Sequence, residues 1–308
     1  MSDALLQVRN LRVHFGAFPA LQDVSFDLSQ GETLGLVGES GSGKSTLARA
    51  ILRLIPVSSG SVLLQGESLL SLGKADLRRR RRDLQIVFQD PLASLNPRMS
   101  VGDALAEPLK IYEPSLSVPA REARIVEMLE RVGLAAGMAH RYPHEFSGGQ
   151  CQRIGIARAM MLRPKLLICD EPVSSLDVSI QGQIVNLLVD LQRDLGTAIL
   201  FISHNLAVVR HLSHRVLVIY RGRLVEVADR DVLFAAPAHP YTQALLAPGR
   251  ALTTGDEPLA VPRTPTGCAF HDRCPHALAS CLLSVPPLQE IASQHLAACH
   301  RWREVVYS

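Results

Sequence analysis

Apolar and polar positions alternate early in the chain and then give way to short apolar runs. Val24, Phe26 and Leu28 alternate with polar neighbours, as in a half-buried strand, and Thr33 to Val37 (TLGLV) is an apolar run closed by glycine. A β-rich N-terminal portion is expected from this. Further apolar runs at Leu84 to Phe88, Leu166 to Cys169, Ala198 to Ile202 and Val216 to Tyr220 are separated by helical patterns. Ile180, Ile184, Leu187, Leu188, Leu191 and Leu195 mark one such helix at three- and four-residue spacing. Strands alternating with helices predict an α/β fold with a mixed, largely parallel sheet.

The pattern changes between Pro91 and Ser147, where helix-forming segments are broken by prolines and Ala120 to Val132 is the clearest amphipathic stretch. An inserted helical subdomain, at about residues 91–160, is expected there. From Ala236 onward the composition shifts again: that segment holds nine of the 19 prolines, five of the 11 histidines and four of the six cysteines. It reads as a separate, irregular C-terminal extension over 236–308, following a main domain over 1–235.

A net charge of +3 is too small to mark a surface that wraps nucleic acid, so partners have to be argued from sites. No apolar run approaches the roughly 18 residues that a spanning helix needs. The opening MSDALLQVRNLRVHFG has neither a basic leader nor a continuous apolar core, and no secretory leader is expected.

The chemistry is concentrated in a few motifs. Gly38 to Thr46 (GESGSGKST) follows the strand TLGLV and precedes the helix-like LARAILRLI, the context of a phosphate-binding loop. Gly38, Gly41 and Gly43 let backbone N–H groups, with Ser40 and Thr46 among them, curl around a phosphate at a helix N-terminus. Lys44 can reach the β and γ phosphates, and Ser45 offers a hydroxyl to Mg²⁺. Leu166 to Glu171 (LLICDE) is a strand ending in two carboxylates that point in opposite directions. Asp170 is the candidate Mg²⁺ carboxylate and Glu171 the group that polarises the attacking water. A polar strand end before Pro172 would be the ordinary reading, were there no phosphate loop.

Phe146 to Gln150 (FSGGQ), twenty residues before Asp170 and followed by a helix-like run, resembles the signature of the ATP-binding subunit of ABC transporters. The resemblance covers about residues 4–235 and includes Gln89 in VFQD, the SSLD segment ending at Asp177, and His204 in FISH. It implies a P-loop ATPase core with an N-terminal antiparallel β-subdomain and ATP with Mg²⁺ as cofactors. By the same likeness Gln89 joins Mg²⁺ and water to the helical subdomain, and His204 holds the γ phosphate and positions Glu171. Phe15, 29 positions before Lys44, resembles the aromatic that stacks on adenine; core packing is its alternative. Ser147, Gly148, Gly149 and Gln150 form a second anion site for the ATP of another subunit, so a dimer with a second ATPase subunit is implied. Phe146 departs from the commoner leucine. Cys151 stands where a polar residue is usual, which could make the site sensitive to oxidation.

The segments HPYTQALL (His239 to Leu246), PTGCAFHDRCPHALASC (Pro265 to Cys281) and ACH (Ala298 to His300) resemble the C-terminal extension of oligopeptide and dipeptide importer ATPases. Phe88 to Leu109 resembles the same subfamily. Peptides are the implied cargo, with nickel or another small solute as the alternative. Transmembrane permease subunits and, indirectly, an extracytoplasmic solute-binding protein are the implied partners, at the cytoplasmic face of the inner membrane and without nucleic acid. A soluble non-transport ABC ATPase and a nucleotide-gated regulatory subunit are the rival readings. Cys268, Cys274, Cys281 and Cys299 lack the paired CxxC spacing of a zinc knuckle. Members of the family can hold a [4Fe–4S] cluster through four such cysteines, with zinc and metal-free thiols as alternatives. The run Arg78 to Arg82 reads as a solvated, self-repelling surface loop, or as a contact for anionic headgroups or an acidic permease loop.

Overall fold

In the computed structural model, residues 4–247 and 266–306 are described, the last without its side chain. Residues 248–265, inside the extension expected over 236–308 and reaching the Pro265 that opens PTGCAFHDRC, lie outside the described residues. The chain divides into two compact units. The first gathers the residues up to Leu28, Thr33–Leu70 and those from Ile202 onward; the second gathers Ser29–Glu32 and Ser71–Phe201.

Within the first unit, the alternation seen at Val24, Phe26 and Leu28 belongs to the strand Phe18–Leu28, antiparallel to Leu6–Phe15 with Val8 opposite Phe26. Leu6–Phe15 pairs on its other side with Ser59–Leu64, Val8 opposite Val62, and the hairpin strand Glu67–Ser68 completes a four-stranded sheet. Val8, Leu11, Val13, Leu21, Val24, Leu28 and Val62 are buried, so one face of the sheet forms a core and the polar residues between them face out. The strand Thr33–Val37 is buried along its whole length, as its unbroken apolar run requires, and lies parallel to Arg215–Tyr220. Arg223–Asp229 turns back antiparallel to Arg215–Tyr220, and His295–Ala297 and then Gln289–Ala292 add to that edge. The C-terminal extension thus contributes two strands to a sheet of the first unit and shares its core through Tyr241, Phe270 and Ala297.

The second unit carries the strands Leu84–Val87 and Leu166–Asp170 in parallel, with Ala198–Ile202 next in order. The helix marked by Ile180 to Leu195 forms as Val178–Leu195 and ends at Gly196 in the left-handed conformation. The amphipathic stretch at 120–132 forms as Val118–Arg131, with Ile125, Met128 and Leu129 on its buried face. Pro91 and Pro119 sit in the first turns of their helices, where no N–H is required. Pro108 differs from the expectation that prolines break these segments: it lies inside the helix Val101–Tyr112. Burial of Val101, Leu105 and Leu109 along one face holds that helix together despite the lost hydrogen bond.

The arginine run is corrected by the structure. Arg78, Arg79 and Arg80 lie in the helix Lys74–Arg80 rather than in a loop, and the positive charges do not simply repel one another. Arg79 pairs with Asp76, Arg80 with Asp83 at 3.1 Å and Arg82 with Glu113 at 3.0 Å. Carboxylates flanking the run, and one thirty-one residues beyond Arg82, take up much of the charge.

Candidate functional site

The phosphate loop is built as its context requires. The strand Thr33–Val37 leads into Gly38, and the helix Lys44–Ile51 begins directly after Gly43, its N-cap in the left-handed region. A Cβ at Gly38 would run into the Ile219 carbonyl, and one at Gly43 would lie 2.9 Å from the Ala20 carbonyl oxygen. The adjoining backbones therefore fix glycine at both positions. The Lys44 side chain is buried within the loop, its ammonium donating to the carbonyls of Gly38 at 2.8 Å and Glu39 at 2.9 Å. Ser40 and Gly41 are exposed at the loop tip, while Ser45 and Thr46 are half-buried in the first helical turn.

His204 belongs to the same unit. It is exposed in the turn between the strand Ala198–Ile202 and the helix Leu206–Leu212. Asn205 caps that helix by accepting from Ala207 N and Val208 N, and Ser203 N donates to the Leu36 carbonyl at 3.3 Å. The turn holding His204 is thereby tied to the strand that feeds the phosphate loop. Phe15 ends its strand half exposed (50%), which rules out core packing for its ring.

The remaining predicted residues lie in the second unit. Asp170 is the last residue of a strand that is buried throughout, and it stays buried itself. Glu171 follows with φ at +50°, a left-handed conformation that a glutamate adopts only when its surroundings impose it. Ser174 helps to hold this turn, donating to the Glu171 carbonyl from both its N–H (3.3 Å) and its hydroxyl (3.1 Å). Gln89 is exposed just beyond the strand Leu84–Val87.

Ser147 caps the thirteen-residue helix Gly148–Met160, accepting from Gln150 N, while the Gln150 side chain accepts from Ser147 N at 3.0 Å. This reciprocal pair is the capping box that serine followed three residues later by glutamine permits. A Cβ at Gly149 would lie 2.7 Å from Ile180 Cγ2, so this helix start packs against the first turn after Asp177, the N-cap residue of Val178–Leu195. The structure brings the FSGGQ and SSLD segments together in this way. Cys151 contradicts its expected oxidation sensitivity: it is fully buried, its Sγ lies 3.5 Å from the Pro143 carbonyl, and burial raises its pKa. An oxidant needs an accessible thiolate, and Cys151 offers neither access nor charge.

In the extension, Cys268, Cys274, Cys281 and Cys299 line one small cavity with His271, His276 and His300. None of the cysteines is disulfide-bonded. Burial raises the pKa of Cys268, Cys274 and Cys299, the last to about 11, so these thiols are neutral at pH 7. Among the described residues no group of three or more His, Cys, Asp or Glu side chains is arranged to hold a metal ion. The [4Fe–4S] cluster implied by the resemblance therefore finds suitable donor chemistry but no closed ligand group.

Sequence reasoning missed how the extension is fixed. The Glu226 carboxylate is fully buried and accepts from Ala238 N at 2.7 Å and His239 N at 2.9 Å, with His295 Nε2 2.8 Å away. His239 is buried too, accepts from Tyr241 N through Nδ1, and has its pKa lowered to about 4 by burial, outweighing the nearby Glu226. Arg273 and Tyr241 reach Glu39 in the phosphate loop. A carboxylate inside an anion-binding loop was the available signal, since such a charge calls for a counter-ion.

Comparison with known proteins gives a consistent picture. The family described as "ABC transporter" matches residues 21–174, and "Oligopeptide/dipeptide transporter, C-terminal region" matches residues 225–281. A probable peptide ABC transporter ATP-binding protein of Sinorhizobium fredii is 50% identical, covering 97% of this chain and 90% of its own. The oligopeptide transport ATP-binding protein OppF of Haemophilus influenzae is 47% identical over 95% of this chain and 93% of its own. Among solved structures, the dimeric post-hydrolysis ATP-binding cassette MJ0796 bound to ADP and Pi superposes with a TM-score of 0.67 at 28% identity, over 73% of this chain and 98% of that one. CbiO1 of Clostridium perfringens, part of the ABC transporter complex cbiONQ, gives a TM-score of 0.70 at 28% identity, over 76% and 91%. With its phosphate loop, its capped signature helix and these likenesses along nearly its whole length, the chain belongs to the ATP-hydrolysing subunits of the ABC transporter family.

Proposed function

We propose that this chain hydrolyses ATP to energise the import of peptides through transmembrane permease subunits, at the inner face of the membrane. One observation carries the choice of cargo. The likeness to peptide and oligopeptide transport proteins runs over at least 95% of the chain and includes the C-terminal region that bears their name. Among the described residues no helix is long and apolar enough to cross a membrane, which accords with a peripheral subunit.

In this reading the loop N–H groups and Lys44 hold the triphosphate, and Phe15, exposed at its strand end, stacks on adenine. Ser45, Gln89 and Asp170 present oxygen donors only, the set Mg²⁺ prefers, and they would hold the ion, which supplies charge neutralisation at the phosphates. Glu171 accepts a proton from the attacking water, and His204 orients the γ phosphate. Ser147, Gly148, Gly149, Gln150 and Asp177 face the nucleotide of a second ATPase subunit, to which the capped N-terminus of a thirteen-residue helix is suited. For the four extension cysteines the proposal remains thiolate ligation of a [4Fe–4S] cluster, supported by their shared cavity. Anaerobically purified protein would then be brown and would lose its colour in Cys274→Ser; colourless, metal-free protein would leave the cysteines as plain thiols.

The cargo is tested by reconstituting the chain with its permease partners and a solute-binding protein in vesicles. ATP-dependent accumulation of a labelled oligopeptide is expected. Accumulation of Ni²⁺ without peptide would replace the cargo, and ATP hydrolysis with no membrane partner at all would overturn the transport reading.

A further inference from the structure

Glu39 is the one charged residue between Gly38 and Lys44, and every polar group it carries is engaged within the first unit. Its carbonyl accepts from Lys44 Nζ at 2.9 Å and from Ser42 N at 3.2 Å. Its N–H donates to the Tyr241 hydroxyl at 2.8 Å. Its carboxylate receives both Arg273 nitrogens, Nη1 on Oε2 and Nη2 on Oε1, each at 2.9 Å. Two of these four anchors, Tyr241 and Arg273, belong to the C-terminal extension and lie more than 200 positions along the chain.

The anchors are themselves rigidly held. Tyr241 is fully buried, packed against Tyr220 with ring centroids 4.6 Å apart and against Phe270 at 5.5 Å. The Arg273 guanidinium lies over the rings of Phe270 (5.7 Å) and Tyr220 (6.0 Å). His239 caps the helix Pro240–Leu246 by accepting from Tyr241 N, and Glu226 fixes the chain just before it, so the HPY segment sets where the Tyr241 hydroxyl points. A fork of two parallel hydrogen bonds, its guanidinium seated over two aromatic rings, leaves the Glu39 carboxylate little freedom.

A negative charge in this loop opposes the function assigned to it. The triphosphate is strongly anionic, and an uncompensated carboxylate beside its cradle would repel it through partly buried surroundings where screening is weak. Lys44 donates to the Gly38 and Glu39 carbonyls, so the position of Glu39 also bears on where the ammonium starts.

We infer that Arg273 and Tyr241 of the C-terminal extension are positioning residues for ATP binding: they anchor the phosphate loop through Glu39, and Arg273 neutralises the Glu39 carboxylate. The inference rests on reading Gly38–Thr46 as an ATP site and gives the extension a direct part in that site. It predicts an effect on nucleotide affinity that is electrostatic in origin and larger than any effect on turnover.

The test is the dissociation constant of Mg·ATP for the full-length chain, measured by calorimetry at two salt concentrations, with steady-state hydrolysis and thermal midpoint alongside. Arg273→Ala is expected to weaken ATP about tenfold, equivalent to about 1.4 kcal/mol, while kcat changes by less than about twofold. The loss shrinks at high salt. Adding Glu39→Gln to Arg273→Ala removes the stranded charge without rebuilding the ion pair, and should recover most of the lost affinity. Arg273→Lys falls between, since it keeps the charge and loses the fork. Tyr241→Phe keeps the ring and loses the acceptor, and should weaken ATP about threefold with no change in salt dependence; it also serves if Arg273→Ala does not fold. The inference is overturned if Arg273→Ala lowers the thermal midpoint but binds ATP like the wild type, or if Glu39→Gln/Arg273→Ala binds no better than Arg273→Ala. Wild-type protein that binds no ATP would overturn the ATP reading itself.

Discussion

The phosphate loop and the C-terminal extension meet at Glu39, and they get there differently. Gly38 to Thr46 gathers its glycines, lysine and helix start into nine consecutive residues, with two of the glycines fixed by the Ile219 and Ala20 carbonyls that adjoin them. The extension acts through single side chains, with Arg273 lying 234 positions from the carboxylate it grips and Glu226 buried beneath the HPY segment. A motif confined to one run can be recognised from its own residues, whereas a device made from distant pairs depends on the packing that brings them together. Chemistry and anchoring should therefore be separable by mutation.

The largest separation is expected at Glu171. Replacing it by glutamine should retain ATP binding and lower single-turnover hydrolysis by about 100-fold or more, the usual contribution of a general base, with the thermal midpoint unchanged. A variant hydrolysing at the ordinary rate would remove Glu171 from the chemistry.

Glu226→Ala should show the reverse pattern. It strips the acceptor from the buried Ala238 and His239 N–H groups and leaves His295 unpaired, at a cost of about 3 to 5 kcal/mol in chemical unfolding. Unfolding indistinguishable from the wild type would show that the extension is held by other means.

A pH titration probes the same anchor without mutation. The folded pKa of His239 is lowered to about 4 from an ordinary value of 6.5, so between these values the unfolded chain binds the extra proton. Stability is then fully present above about pH 6.5 and falls as pH drops toward 4, by about 3 kcal/mol from this residue. His239→Gln should flatten the slope over that window; an unchanged slope would assign it to other groups.

The smallest effect is expected at the arginine-rich helix. Arg79→Ala removes an exposed pair with Asp76 and should alter stability by less than about 0.5 kcal/mol, with ATP binding untouched. A larger loss in calorimetry would give that surface a structural role the ion pairs do not explain.

These contrasts follow how much of the molecule could be read from its sequence. The strand, loop and helix around Lys44, and the helix start at Ser147 to Gly149, were legible because neighbours in sequence perform the function together; the reciprocal Ser147–Gln150 capping pair came only with the structure. The left-handed turn at Glu171 was not, because its conformation is imposed by tertiary surroundings. Burial of Cys151 and pairing of the arginines with Asp83 and Glu113 overturned readings made from local composition, since exposure and charge balance depend on what packs alongside. The extension was legible as a composition shift and a family likeness. Its contacts with Glu39 were not, because no periodicity links residue 39 to residues 241 and 273.

The central claim, that this fold binds and cleaves a magnesium nucleotide at Gly38–Thr46, is tested most directly by Mg·ATP calorimetry on the full-length chain and on Lys44→Ala. The account predicts saturable binding by the wild type and its loss in Lys44→Ala at an unchanged thermal midpoint. Equal binding by both proteins, or by neither, would contradict it.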